Sequence, residues 1–131
     1  MKYYFNSAVA LLGTATTVAF GGWDLPLKAL ICLMAADYIS GVALAISNKQ
    51  LSSSIGFKGL AKKGCILLII MLSVMLDRLI NNGHWTFRTL TAYFYIANEG
   101  ISIVENAAAL GIPIPKKIRE ILSQLSSEND E

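Results

Sequence analysis

Four long apolar stretches, separated by short polar segments, constrain the fold of this chain more than any other feature. They cover residues 7–23, 25–47, 64–80 and 89–112. A helix needs about 20 mainly apolar residues to cross the hydrocarbon core of a bilayer, with a range of about 17–25. The chain is 54% hydrophobic but only 15% charged, whereas a soluble domain is about a quarter charged. The sequence therefore predicts an all-α, small polytopic membrane protein with about four transmembrane helices.

The basic residues between these stretches predict the topology. They lie before the first stretch, between the second and third, and after the fourth: Lys2, Lys49, Lys58, Lys62, Lys63, Lys116, Lys117 and Arg119. Because positive residues gather on the cytoplasmic side of membrane proteins, both termini and the lysine-rich segment are predicted to be cytoplasmic, an N-in/C-in arrangement. The net charge of +2 is too small to indicate nucleic-acid binding.

The last segment has the pattern of an amphipathic helix. Pro113 and Pro115 end the fourth apolar stretch. Four apolar residues then recur at helical spacing: Ile118, Ile121, Leu122 and Leu125. We divide the chain into a transmembrane helical domain, 1–112, and a cytoplasmic amphipathic tail, 113–131. The tail could lie on the membrane surface, bundle with copies of itself, or form a short soluble helix.

The fourth stretch carries a polar stripe. At about 100° per residue, its polar side chains fall in one arc about 120° wide, and they are Thr91, Tyr95, Asn98, Glu99, Ser102, Glu105 and Asn106. A charge at the centre of an inserting helix costs roughly 2.5–3.5 kcal/mol, and each strongly apolar residue returns only about 0.3–0.6 kcal/mol. Two carboxylates therefore make this helix marginal on its own.

Three interpretations of the stripe are open. It could line an aqueous lumen made by several subunits, seal a static interface between helices, or mark a helix that lies flat on the membrane surface. Two further acids lie within the apolar stretches. Asp37 is near the middle of the second and must find a donor or face water, whereas Asp77 is near the outer end of the third. Small residues that favour close helix packing recur in the first two stretches: Gly13, Gly21, Gly41 and Ala45.

Several motifs in combination carry a family resemblance from about residue 30 to residue 121. They are Asp37-Tyr38 with Gly41; Gly56-Phe57-Lys58-Gly59-Leu60 with Lys62 and Lys63; Asn98-Glu99-Gly100 with Ser102, Glu105 and Asn106; and Gly111 with Pro113 and Pro115. This pattern resembles the phage lysis and toxin-secretion holins of Gram-positive bacteria and their phages. The first 25 residues match only in being a membrane helix.

The resemblance implies a multi-pass protein of the bacterial cytoplasmic membrane that forms large homo-oligomers and opens holes at a set time. The holes would release an endolysin or, in some clostridial relatives, a toxin, without stable binding of that cargo. The polar face of the assembly would be Tyr95, Asn98, Glu99, Ser102, Glu105 and Asn106. The anionic inner leaflet would be contacted by Lys49, Lys58, Lys62, Lys63, Lys116, Lys117 and Arg119, at about 1 kcal/mol per basic residue.

Other classes of function are less well matched. The single histidine, His84, has no cysteine or serine nucleophile near it, and the sequence contains no metal-ligand cluster and no phosphate loop. We therefore expect no enzyme activity, no cofactor and no metal. A small ion channel or transporter subunit, whose membrane acids carry protons or cations, is the main alternative. An antiholin-type membrane interaction protein is another.

Overall fold

The computed structural model describes the backbone of residues 1–130 and the side chains of residues 1–124. Within that part the protein is all-α, with five helices and no strand: α1 (Lys2–Phe20), α2 (Leu25–Ser47), α3 (Ser53–Ile80), α4 (Thr86–Ala109) and α5 (Lys116–Asp130). The helical fold class is confirmed, and the helix boundaries differ from those predicted.

Local capping signals explain most of these boundaries. α1 ends at Phe20 because Gly21 adopts a left-handed conformation, φ 79°, in which its N–H donates to the Thr17 carbonyl. The Asp24 carboxylate accepts from the Leu27 N–H and caps α2. Gly21, predicted to favour close helix packing, lies in the turn between α1 and α2, where a Cβ would lie 3.1 Å from the Arg88 and Trp85 side chains.

The lysine-rich segment between the second and third apolar stretches is mostly helical rather than a loop. The Ser52 hydroxyl accepts from the Ile55 N–H at 3.2 Å, so α3 begins at Ser53 and not at residue 64. Lys58, Lys62 and Lys63 therefore belong to α3. A hydropathy pattern alone misses such an extension because the first turns of the helix are polar.

α4 is the central helix and lies between α2 and α3. Each of the three helices turns one stripe of side chains with a seven-residue repeat toward the other two. The buried core consists of Leu27, Leu30 and Met34 from α2, Ile66 and Ile70 from α3, and Ala92 from α4. α2 and α3 make few contacts with each other, because α4 fills the space between them.

α2 and α3 are the helices, among the described residues, that are long and apolar enough to cross a membrane. α1 has no buried residue and contacts the bundle mainly through α3. Its Thr16 and Thr17 hydroxyls donate to carbonyls one turn earlier, so they are satisfied within the helix. That α1 and α4 also span the membrane stays a prediction, as does the N-in/C-in topology.

The amphipathic tail helix, α5, folds back against α4. At Gly100 the two helices approach so closely that a methyl group would lie 2.9 Å from Leu122 Cδ2. Leu122 thus occupies the space that a side chain at position 100 would fill. The predicted stripe residue Leu125 lies outside the described side chains.

Arg88 joins the two turns at one end of the bundle. Its guanidinium donates to the Asp24 carboxylate at 2.7 and 3.0 Å, to the Phe20 carbonyl at 2.6 Å and to the Gly22 carbonyl at 3.1 Å. The Arg88 side chain is only 3% exposed. We call these groups, together with Asp77, the Arg88 cluster. It ties the α1–α2 turn to the start of α4.

Asp77 supplies the cap that the sequence at the start of α4 lacks. Trp85, the residue before α4, makes no side-chain capping bond. The fully buried Asp77 carboxylate accepts instead from the Phe87 and Arg88 N–H groups, at 2.9 and 2.8 Å, and from Asn81 Nδ2 at 2.9 Å. A carboxylate at a helix N-terminus satisfies free N–H groups and complements the helix dipole, so α3 fixes where α4 begins.

The Arg88 cluster predicts a pH-dependent stability. Hydrogen bonds from Arg88 hold the pKa of Asp24 below its ordinary value, which is about 4. The ionised carboxylate is therefore favoured by folding, and its contribution is full above that ordinary value and is lost as the pH falls through the lowered pKa. In thermal unfolding in detergent, wild type should exceed Asp24→Asn in midpoint at neutral pH, and this difference should shrink in acid.

A matched control is Glu120→Gln, which removes the exposed carboxylate of a 3.9 Å pair with Lys116. This variant should change the midpoint little at any pH, because exposed ion pairs contribute little. A difference between wild type and Asp24→Asn that does not change with pH would contradict the role given to the Asp24 charge.

Candidate functional site

One lysine joins the three central helices. Lys63 Nζ of α3 donates to Asp37 Oδ2 of α2 at 2.7 Å and to Glu99 Oε2 of α4 at 2.6 Å. The side chains are 15% exposed for Lys63, 15% for Asp37 and 7% for Glu99. Two carboxylates from different helices thus share one ammonium group in a largely enclosed space.

Neutral polar groups complete this site. Asn106 Nδ2 lies 3.2 Å from Asp37 Oδ1 and 2.9 Å from Ser40 Oγ, and donates to these acceptors across the α2–α4 seam. The Ser40 hydroxyl in turn donates to the Asp37 carbonyl at 3.0 Å. We call Asp37, Lys63, Glu99, Asn106 and Ser40 the Lys63 cluster.

Helical spacing explains why these residues meet. On α3, Lys63 continues the buried stripe of Ile66, Ile70, Ser73 and Asp77. On α4, Glu99 follows Arg88, Ala92 and Tyr95 at intervals of three and four residues. Residues with this spacing share one face of a helix. The two ionic clusters therefore lie on the same seam, with the apolar core between them.

The distance between the clusters bears on their place in a membrane. Asp24 and Asp37 are thirteen residues apart on α2, which corresponds to about 20 Å at 1.5 Å per residue. The hydrocarbon core of a bilayer is about 30 Å thick. If the Arg88 cluster lies at one surface, the Lys63 cluster therefore lies inside the hydrocarbon layer, where charged groups need partners.

The structure divides the polar stripe of α4 into two parts. Tyr95 packs against the core, Thr91 bonds to Ser73 at 2.8 Å, and Glu99 and Asn106 belong to the Lys63 cluster. Ser102 lines a groove beside Asp37. Asn98 and Glu105 are exposed at one edge of the stripe. Within a single subunit, most of the stripe thus seals contacts between helices.

The predicted basic residues also fall into two groups, those that are exposed and one that is largely enclosed. Most are exposed: Lys49, Lys58, Lys62, Lys116, Lys117 and Arg119. Lys63 differs because its ammonium bonds two carboxylates of the chain. The sequence signal for this role is that Lys63 shares one helix face with the buried residues of α3. That signal can be recognised only when α3 is taken to begin at Ser53.

Arg88 is a structural residue that the sequence analysis did not identify as a candidate. It shares the α4 stripe with Glu99, and this spacing is the signal that could have found it. Among the small residues, Gly41 does lie against α4, with Asn106 Nδ2 3.7 Å from where a Cβ would be, and Ala45 lines the groove. Gly13 has nothing within 4 Å of a Cβ position.

The side chains of the Lys63 cluster limit what this site can bind. Among the described residues, no group of three or more His, Cys, Asp or Glu side chains is placed to bind a metal ion. The Lys63 cluster is instead an internal ion-pair network. The fold and the cluster define a class: a small helical membrane protein that encloses charged side chains at the seam of its apolar bundle.

Comparison with known proteins identifies the family. The model of the bacteriophage holin family matches residues 14–127. A probable holin of Bacillus phage phi105 is 37% identical, over 80% of this chain and 77% of its own length. The chain therefore belongs to the bacteriophage holin family, which confirms the resemblance seen in its motifs and indicates a non-enzymatic membrane protein.

Bacterial proteins are also similar. An uncharacterised 14.9 kDa protein of Clostridium perfringens is 51% identical over 95% of both chains. The Listeria monocytogenes protein Lmo0128 is 39% identical over the whole of this chain and 93% of its own length. No solved structure matches this chain.

The Lys63 cluster predicts a large loss of stability for Lys63→Met. Removing one partner of a buried ion pair costs about 3–5 kcal/mol, because the remaining charge is left unpaired. The midpoint of unfolding in detergent, followed by circular dichroism, should therefore fall strongly. Lys62→Met is the matched control, since Lys62 is the exposed neighbour, and surface changes stay within about 0.5 kcal/mol. Equal losses in the two variants would show that the cluster does not stabilise the bundle.

Proposed function

We propose that this protein is a holin, copies of which assemble in the bacterial cytoplasmic membrane and open large holes at a set time. Through these holes a cytoplasmic endolysin, or a toxin, would leave the cell without binding stably to the protein. The proposal includes the N-in/C-in topology with four spans in residues 1–112 and a cytoplasmic tail in residues 113–131. It is supported by the family and by the similarity to a probable holin.

The observation that carries this proposal is that a single subunit encloses Asp37, Lys63 and Glu99 while its long helices expose many large apolar side chains. Large apolar side chains are exposed on all four of the long helices, among them Leu11, Ile39, Leu72 and Leu90. Such a subunit is suited to accumulate in lipid, because Asp37 and Glu99 are paired inside it. The same polar face becomes available for a water-filled hole only when α4 parts from α2 and α3.

The energy of the Lys63 cluster explains why opening would wait for assembly. A lone subunit that opened in lipid would leave charged side chains unpaired in the hydrocarbon layer. An unpaired buried charge costs about 3–5 kcal/mol, so a lone subunit is open in only about one case in a hundred to one in several thousand. Contacts among many assembled copies then supply the free energy that opening requires. In the open assembly the lumen is lined by Tyr95, Asn98, Glu99, Ser102, Glu105 and Asn106, with Asp37 beside them.

Opening begins at the exposed edge of the polar stripe. Asn98 and Glu105 are already exposed in the closed subunit, so they contact a neighbouring copy or water before Glu99 does. The exposed basic residues of the inner side hold the subunit against anionic headgroups during the change. Their contribution is about 1 kcal/mol for each residue near the surface.

The ion channel or transporter subunit remains the second candidate, and the Lys63 cluster is the observation that favours it. Charged side chains within membrane segments often belong to ion or proton pathways. The two functions differ in what they release: a hole passes folded proteins, whereas an ion pathway passes only small ions. An antiholin would insert into the membrane without killing the cell.

The test is induced expression in bacteria that also make a cytoplasmic cell-wall hydrolase and a folded marker protein. Turbidity, membrane potential and marker release are followed together. A holin should give abrupt lysis with marker release after a delay. Gradual depolarisation with the marker retained would replace the holin by a channel, and insertion without killing would indicate an antiholin.

The double variant Glu99→Gln with Glu105→Gln should delay lysis in this assay. Ionised carboxylates are strongly hydrated in a water-filled lumen, and neutral amides stabilise the open state less. The delay should exceed the spread between replicate cultures at equal protein levels. Glu120→Gln on α5 serves as the control and should lyse on the wild-type schedule. Unchanged timing of the double variant would mean that the polar stripe does not line the hole.

A further inference from the structure

The Lys63 cluster contains more acid than base. Asp37 and Glu99 can each carry one negative charge, whereas Lys63 carries one positive charge. The other members, Asn106 and Ser40, are neutral. A fully ionised cluster would therefore hold a net charge of −1 between three apolar helices, in a space where an uncompensated charge is costly.

The geometry shows how this excess could be removed. The Asp37 and Glu99 carboxyls both bond the same Lys63 ammonium, at 2.7 and 2.6 Å, so these two acids from different helices share one largely enclosed site. Two acids that share one site generally do not both ionise.

No other described charge replaces the missing one. Lys62 lines the groove beside Asp37, but it is exposed, and among the described side chains it makes no ion pair. On α2 the neighbouring titratable group is Tyr38, and on α4 the next acid, Glu105, is exposed and lines the groove toward α5. α5 contacts the other side of α4, at Gly100.

We propose that the Lys63 cluster is a proton-binding site, in which the pair of Asp37 and Glu99 holds one proton in the closed subunit so that the cluster has no net charge. The proton comes from water through the groove lined by Lys62, Ser102 and Asn106. Protein and proton are the only reactants: a carboxylate oxygen gains the proton that water loses. The site requires only the closed subunit, so it stands apart from hole formation.

When α4 separates from α2 and α3, the Asp37 and Glu99 carboxyl groups become exposed to water. A carboxyl group that meets neutral water ionises, because its ordinary pKa is about 4. Each subunit would then release the proton of the Lys63 cluster on opening. Since the closed state binds one more proton than the open state, lower pH stabilises the closed state.

Infrared spectroscopy of the full chain tests the proposal, because the carbonyl stretch of a protonated carboxylic acid is separate from the amide band. The protein is measured at neutral pH in an alkyl maltoside, which has no ester carbonyl. Wild type should show the acid band, with the shift in heavy water that an exchangeable proton gives. Glu99→Gln and Asp37→Asn should each lose it, because one acid then pairs one-to-one with Lys63 and ionises.

The two single variants test whether the bound proton depends on the presence of both acids. Loss of the band in both variants supports the proposal. A band that remains in either variant would show that the remaining acid is protonated even when it is the sole acidic partner of Lys63, which would overturn it. A wild-type spectrum without the band, or a band that survives in both variants, would also overturn the proposal. Glu120→Gln, which changes an exposed acid, should keep the band. Even if one variant fails to fold, the wild-type spectrum shows whether the closed subunit contains a protonated carboxylic acid.

Discussion

The Lys63 ammonium, shared by carboxylates from two other helices, is the interaction on which the rest of the structure depends. It allows α4, whose polar stripe makes it a marginal membrane helix on its own, to lie between α2 and α3. Without this ammonium, Asp37 and Glu99 would be unpaired charges among apolar side chains. Because the cluster encloses them, the outer surface can remain apolar, as a protein that accumulates in lipid requires.

The two ends of the seam are fixed by different means. The Arg88 cluster uses backbone carbonyls and a helix cap, so it couples the turns to the start of α4. The Lys63 cluster joins its helices mainly through side chains, and the one backbone group that takes part is the Asp37 carbonyl, which accepts from Ser40 and Asn106. Side-chain contacts can exchange for water without unfolding a helix, whereas the loss of the Asp77 cap would affect the helix itself. The proposed opening therefore begins at the Lys63 end.

The sequence predicts those parts of the fold that depend on hydropathy alone. The cores of α2, α3 and α4 and the single polar face of α4 follow from periodicity, and Asp37 was expected to need a donor. The donor itself was not predicted, because Lys63 follows three other lysines in a basic run and such runs usually face headgroups. Only the start of α3 at Ser53 places Lys63 on the buried stripe. Arg88 was missed because its partners, the Asp24 carboxylate and two backbone carbonyls, lie in a turn that is 64–68 residues earlier in the chain, and no sequence pattern reveals that contact.

The central claim is that the α2–α4 seam must part for the membrane to open. It is tested most directly by joining Ser40→Cys to Asn106→Cys through a short cleavable thiol linker, with Cys32 and Cys65 replaced by alanine. These side chains are in contact in the closed subunit, 2.9 Å apart. The protein is placed in vesicles that contain a folded marker protein. The account predicts that the linked protein retains the marker and releases it once the linker is cleaved. Release at the same rate from linked and cleaved protein would contradict it.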